Sequence, residues 1–148
     1  MENKRFNLLL ADDDIDDCTF FKDALEDLSI YATLSIVNDG VKLMDFLSSS
    51  LPNLPDILFL DLNMPRKGGF ECLSEIKAND KLKHLPVIIF STSLDMGIVN
   101  LLYQNGAQHY ICKPGGYIIL KKVILEAITL TPYNTSLLPP RDKFIIQT

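Results

Sequence analysis

The sequence has no run of about 18 apolar residues, the minimum for a membrane-spanning helix. Residues Met1 to Arg5 lead into a short apolar stretch, Phe6 and Leu8 to Ala11, that is too brief for a signal-peptide core. Neither leader nor anchor is expected, and the location implied is cytoplasmic. Cysteine is scarce: Cys18, Cys72 and Cys112 are odd in number and lack CxxC spacing, which argues against a disulfide framework or a zinc site. They read as buried thiols in a reducing compartment; Cys112, next to Lys113, could also be an activated thiol. Positive charge is also short. With 14 Lys and Arg against 19 Asp and Glu the net charge is −5, which argues against the clustered basic surface of a nucleic-acid binder. The two histidines, His84 and His109, lie far in sequence from any ligand partner and fit surface or packing roles.

What the chain has is core. Its 148 residues are 47% hydrophobic, enough for one domain with a tail. A chain of this length buries roughly 70% of its unfolded surface and needs no staple. Five short apolar runs predict strands: Phe6 to Ala11, Tyr31 to Val37, Ile57 to Leu60, Val87 to Phe90 and His109 to Cys112. Between and after them, apolar residues at helical spacing predict helices over Asp16 to Leu28, Val41 to Leu47, Phe70 to Asn79, Asp95 to Gln104 and Tyr117 to Leu130. Asp14 is the expected N-cap of the first helix, and Asn105-Gly106 the C-cap of the fourth. Five βα units give an α/β fold, a doubly wound five-stranded parallel sheet.

The strand ends carry the chemistry. The run Ile57 to Leu60, bounded by Pro55 and Pro65, has the character of a strand buried on both faces, and Asp61 stands at its C-terminal end. Open α/β sheets place their ligand sites at that edge. Alone, Asp61 could be a metal ligand, a nucleophile or a turn cap. The same edge collects Asp12 and Asp13, with Asp14 as a further candidate, from the first strand, Ser91 or Thr92 from the fourth and Lys113 from the fifth. Converging carboxylates repel and resist ionisation. A hard dication relieves this, and an oxygen-only ligand set suits Mg²⁺. Carboxylate, hydroxyl, ammonium and Mg²⁺ together can hold a phosphoryl group, with Asp61 as nucleophile.

The motifs LLLADDD, LFLDLNMP, IIFSTS and YICKP stand in order at these strand ends, with 30 residues from Asp61 to Ser91 and 22 from Ser91 to Lys113. This set resembles the receiver domain of bacterial two-component response regulators over residues 5–130, in the stand-alone form. The resemblance implies a flavodoxin-like (βα)5 fold with strand order 2-1-3-4-5. It implies that Asp61 accepts a phosphoryl group from a sensor histidine kinase or a phosphotransfer protein. Metal, Mg²⁺ or Mn²⁺, would be held by Asp12, Asp13, Asp61 and the Asn63 carbonyl. Lys113, Ser91 and Thr92 would bind the phosphoryl oxygens, with Ser91 and Tyr110 as switch residues and a cis bond between Lys113 and Pro114. No enzymatic activity beyond self-catalysed phosphoryl transfer and dephosphorylation is implied.

Phosphorylation adds charge and acceptor oxygens. Ser91 turning toward them would draw in the loop after strand four and let Tyr110 swing in from the surface. The output surface is then expected on helix four, strand five and helix five. From Leu94 to Cys112 the only charged residue is Asp95. Ile98, Leu101 and Leu102 are assigned to the sheet side, leaving Met96, Val99 and Tyr103 as a second apolar line for a downstream protein target or a homodimer. Residues 131–148 read as a tail without an output domain; its apolar Phe144-Ile145-Ile146 either docks or frays.

Some positions depart from the family pattern. Lys67-Gly68 predicts a looser loop after Asp61, Gly115-Gly116 a more mobile start to helix five, and Thr92 slower entry of hydrolytic water. Three rival readings are weaker. A haloacid-dehalogenase-type phosphatase would need a second acid where Asn63 stands. A flavin binder would need a phosphate loop where Asp12 to Asp14 would repel the phosphate. A constitutive receiver-like interaction module would not need the complete acid, hydroxyl and lysine set.

Overall fold

The computed structural model describes residues 5–131 and 138–147. Strands β1 (Phe6–Ala11), β2 (Ala32–Val37), β3 (Ile57–Leu60), β4 (Val87–Ser91) and β5 (His109–Cys112) alternate with helices α1 (Ile15–Asp27), α2 (Gly40–Ser50), α3 (Gly69–Ala78), α4 (Met96–Gln104) and α5 (Tyr117–Leu130). With a short C-terminal strand β6 (Ile145–Ile146), all neighbouring strands are parallel, in the order β2-β1-β3-β4-β5-β6. This is the doubly wound, flavodoxin-like fold.

Strand alternation divides the core into two layers. On one face Leu8, Leu10, Ile57 and Phe59 meet Phe21 and Ala24 of α1 and Val123, Ile124 and Ala127 of α5. On the other, Leu9, Ala11, Leu58 and Leu60 meet Leu43 and Leu47 of α2, Leu73 and Ile76 of α3, and Val99 and Leu102 of α4. β3 is buried at every position, as its unbroken apolar run requires.

Capping sets the helix starts. The Asp14 carboxylate accepts from the Asp17 N–H, Asp39 from Lys42, and Asp95 from Gly97 and Ile98. Gly106, after the end of α4, has φ 91°, and its N–H donates to the Tyr103 carbonyl. α2 runs through Ser48 to Ser50, past the expected stop at Leu47, because the Ser50 hydroxyl donates to the Phe46 carbonyl at 2.7 Å instead of breaking the turn.

Three expectations are corrected. The sheet has a sixth strand, β6 (Ile145–Ile146), so the C-terminal segment docks beside β5 rather than fraying. Phe144, fully buried, anchors it. α4 is rotated from the expected phase: Val99 and Leu102 are fully buried, whereas Met96 and Leu101 are each 49% exposed. Val99 therefore belongs to the core and not to a surface line. The cis peptide bond among the described residues joins Leu51 to Pro52; Lys113–Pro114 is trans.

Candidate functional site

Each strand along the C-terminal edge ends where its apolar run meets a polar residue, which brings those residues together. Asp12 follows β1, Asp61 follows β3, Ser91 ends β4 and Lys113 follows β5. Asp12, Asp61 and Ser91 are buried, and Asp13 faces solvent. The backbone locks the edge: the Asp61 N–H donates to the Ala11 carbonyl at 2.9 Å and the Lys113 N–H to the Ser91 carbonyl at 2.7 Å. Gly69 leaves no room behind Asp61, since a Cβ there would sit 2.2 Å from the Asp61 carbonyl oxygen.

The Lys113 ammonium is the hub. Its Nζ lies 2.9 Å from Asp12 Oδ2, 2.7 Å from Asp17 Oδ2 and 3.4 Å from Asp61 Oδ2. It also stands 5.5 Å from the centre of the Phe90 ring. Burial lowers the lysine's proton affinity, but the hydrogen bond to Asp17 and the charges of Asp12 and Asp61 outweigh it, so Lys113 is held above the ordinary lysine range. Sequence alone does not single out Asp17 as a partner of Lys113. An acid in the first turn of a helix is already explained by the helix dipole. The overlooked signal is its position one turn beyond Asp13, facing the same edge.

The carboxylates are short of partners. Asp12 Oδ1 accepts the Asp14 N–H at 2.9 Å, but the buried Oδ2 has no hydrogen bond: its contact with Lys113 is an ion pair without hydrogen-bond geometry. Burial pushes the Asp12 carboxyl up to about 6 against the Asp14 N–H and Lys113, with the Asp61 charge raising it further. Asp61 Oδ1 accepts only a long bond, 3.3 Å, from the Asn63 N–H. Asp12, Asp13 and Asp61 each offer an oxygen, and these atoms lie within 4.8 Å of one another. An oxygen-only set with an orphaned buried lone pair fits a hard divalent cation.

Around this centre, Thr92 is exposed at the rim and its carbonyl accepts from the half-buried Cys112 thiol at 3.7 Å. The Ser93 N–H reaches the Ser91 hydroxyl oxygen at 3.5 Å. Tyr110 is fully buried with its hydroxyl donating to the Ser93 carbonyl, so it already sits inward instead of on the surface. Burial pushes the Cys18 and Cys72 thiols up to about 11, as inert core thiols require. Among the expected output residues, Met96 is exposed, Val99 is buried, and Tyr103 is half-buried with its hydroxyl donating to the Pro139 carbonyl at 2.9 Å.

A parallel sheet in this order, with two buried acids, a hydroxyl and a lysine at its C-terminal edge, is the architecture of a receiver. The chain matches the model of the response regulator receiver domain over residues 8–125 and belongs to that family. It is 33% identical over 135 residues to the response regulator Rcp1 of Synechocystis sp., covering 83% of this chain and 91% of that protein. The crystal structure of the phosphorylated cyanobacterial phytochrome response regulator RcpA superposes with a TM-score of 0.81 at 26% identity, covering 89% of this chain and all of that one. The Mn²⁺-bound form of response regulator Rcp1 gives a TM-score of 0.77 at 30% identity over 91% of this chain and 99% of that one. Among the described residues no helix is long and apolar enough to cross a membrane.

Proposed function

We propose that this protein is a two-component signalling receiver in which Asp61 accepts a phosphoryl group from the phosphohistidine of a sensor histidine kinase or a phosphotransfer protein. The observation that carries the proposal is the pairing of a buried Asp61 with the Lys113 ammonium at 3.4 Å, beside an acid whose buried oxygen lacks a hydrogen bond. A carboxylate oxygen of Asp61 attacks phosphorus as the phosphorus–nitrogen bond breaks, and the imidazole leaves with the electron pair. Lys113 neutralises charge on the phosphoryl oxygens, and the Ser91 hydroxyl and Thr92 N–H donate to them.

Asp12, Asp13 and Asp61 would hold the cation, with the Asn63 carbonyl completing the protein's share. Mg²⁺ or Mn²⁺ bound there supplies charge that screens the acids and the transferring group. That the Rcp1 neighbour has an Mn²⁺-bound form supports a divalent cation at this site. Once formed, the aspartyl phosphate brings more negative charge than the carboxylate it replaces, and Ser91, Ser93 and Tyr110 carry its effect to α4. The face formed by α4, β5 and α5, with Leu94, Met96 and Leu101 exposed, would meet a downstream protein or a second copy of the chain.

The test is incubation with acetyl phosphate and Mg²⁺ followed by intact-mass measurement. Wild type should gain the mass of one phosphoryl group and Asp61→Asn none. A wild-type protein left unmodified with metal present would instead favour an interaction module that works without phosphorylation.

A further inference from the structure

The C-terminal segment grips two elements at once. Phe144, fully buried, packs its ring 5.1 Å from that of Tyr103 in α4 and 6.5 Å from that of Tyr110 in β5. Its carbonyl accepts from the Tyr110 N–H at 3.1 Å and lies 3.1 Å from His109 Nδ1. Arg141 donates to Asn100 Oδ1 from Nε at 2.9 Å and from a terminal nitrogen at 2.7 Å, and its guanidinium lies over the rings of Phe144 and Tyr103. Tyr103 returns a hydrogen bond to Pro139.

Those contacts end on Tyr110, whose hydroxyl bonds the loop that follows β4. The Tyr110 hydroxyl donates to the Ser93 carbonyl, and the Ser93 N–H reaches the Ser91 hydroxyl oxygen. An unbroken series of contacts, Ser91 to Ser93 to Tyr110 to Phe144, joins the phosphoryl pocket to the tail. Phe144 packs against Tyr110 in its inward position, and the Tyr110 hydroxyl bonds the same loop whose Ser91 and Thr92 are proposed to contact the phosphoryl group.

We propose that docking of residues 138–147 and phosphorylation of Asp61 favour one another, with Tyr110 as the shared element. The inference rests on the reading of Asp61 as the phosphoacceptor. The docked tail acts as an intramolecular ligand for the conformer that the phosphoryl group selects. Coupling of this kind is reciprocal in binding free energy and typically amounts to about five-fold or more.

Hydrogen exchange measured before and after acetyl phosphate treatment with Mg²⁺, with intact mass in parallel, reads one direction. Exchange at the Tyr110 amide and across 138–147 should slow by about five-fold or more in the phosphorylated protein. The affinity of Asp61 for beryllofluoride, a phosphoryl mimic that binds at equilibrium, reads the other. Phe144→Ala and Arg141→Ala should each weaken it, Phe144→Ala by a similar factor. Arg141 lies at the rim, so Arg141→Ala carries the test if Phe144→Ala does not fold. A full phosphoryl mass with unchanged exchange, and wild-type beryllofluoride affinity in the folded variants, overturns the coupling and leaves the Asp61 reading intact. Absence of the phosphoryl mass in wild type overturns both.

Discussion

Replacing Lys113 by methionine removes the cation shared by Asp12, Asp17 and Asp61 while keeping much of the stem volume. Its ammonium lies 2.9 Å from Asp12 and 3.4 Å from Asp61, both buried, and 2.7 Å from the partly exposed Asp17. Taking one partner out of a buried pair costs about 3–5 kcal/mol, because the remaining charge is stranded. Here two buried acids are stranded, but burial already pushes the Asp12 carboxyl up to about 6 with Lys113 present and higher without it, so its protonation at neutral pH costs at most about 1–2 kcal/mol. The expected loss without metal is therefore about 2–4 kcal/mol. Saturating Mg²⁺ supplies the missing countercharge, so the gap to wild type should shrink by half or more, and by linkage the variant should bind the ion more tightly. Urea denaturation in chelator and in excess Mg²⁺ checks both. Circular dichroism is the readout, since the chain has no tryptophan. Equal stability of wild type and variant in chelator, or a gap that Mg²⁺ leaves unchanged, would refute the electrostatic account of the site.

Val99→Asp places a carboxylate in the core and should destabilise the fold by about 4 kcal/mol or more, whereas Leu101→Asp on the exposed side should cost about 1 kcal/mol or less. Similar denaturation midpoints for the two would mean that α4 has the other phase. Burial holds the Lys77 ammonium down at about 8, although it donates to the Leu85 carbonyl at 2.9 Å. Unfolded, Lys77 titrates near 10.5, so between pH 8 and 10.5 the unfolded chain keeps a proton that the folded chain has released, and stability rises with pH. Partial contact with water limits the gain of wild type over Lys77→Met across that window to about 1–2 kcal/mol; a difference flat in pH contradicts it.

The sheet and the acidic site were legible because each rests on a strong local signal. Five apolar runs fix five strands, and a strand end fixes which edge its next polar residue occupies, so Asp12, Asp61, Ser91 and Lys113 could be brought together from spacing alone. α4 resisted because Ile98, Val99, Leu101 and Leu102 leave it apolar almost all round, and periodicity cannot choose an inward face. β6 resisted because two residues carry no period. Full burial of Tyr110 is not legible from its strand position, because nothing nearby in sequence announces Phe144, 34 positions on, as the ring it packs against.

The segment that adds β6 also changes what β5 offers to other chains. Tyr110 and Ile111 pair outward with Ile145 and Ile146, so their backbone groups are not left as a template for a foreign strand. A shortened form ending before residue 138 would bare that rim along with the pocket that Phe144 fills, giving it an adhesive margin prone to self-templating and precipitation. Clipping by a protease during purification would have the same result.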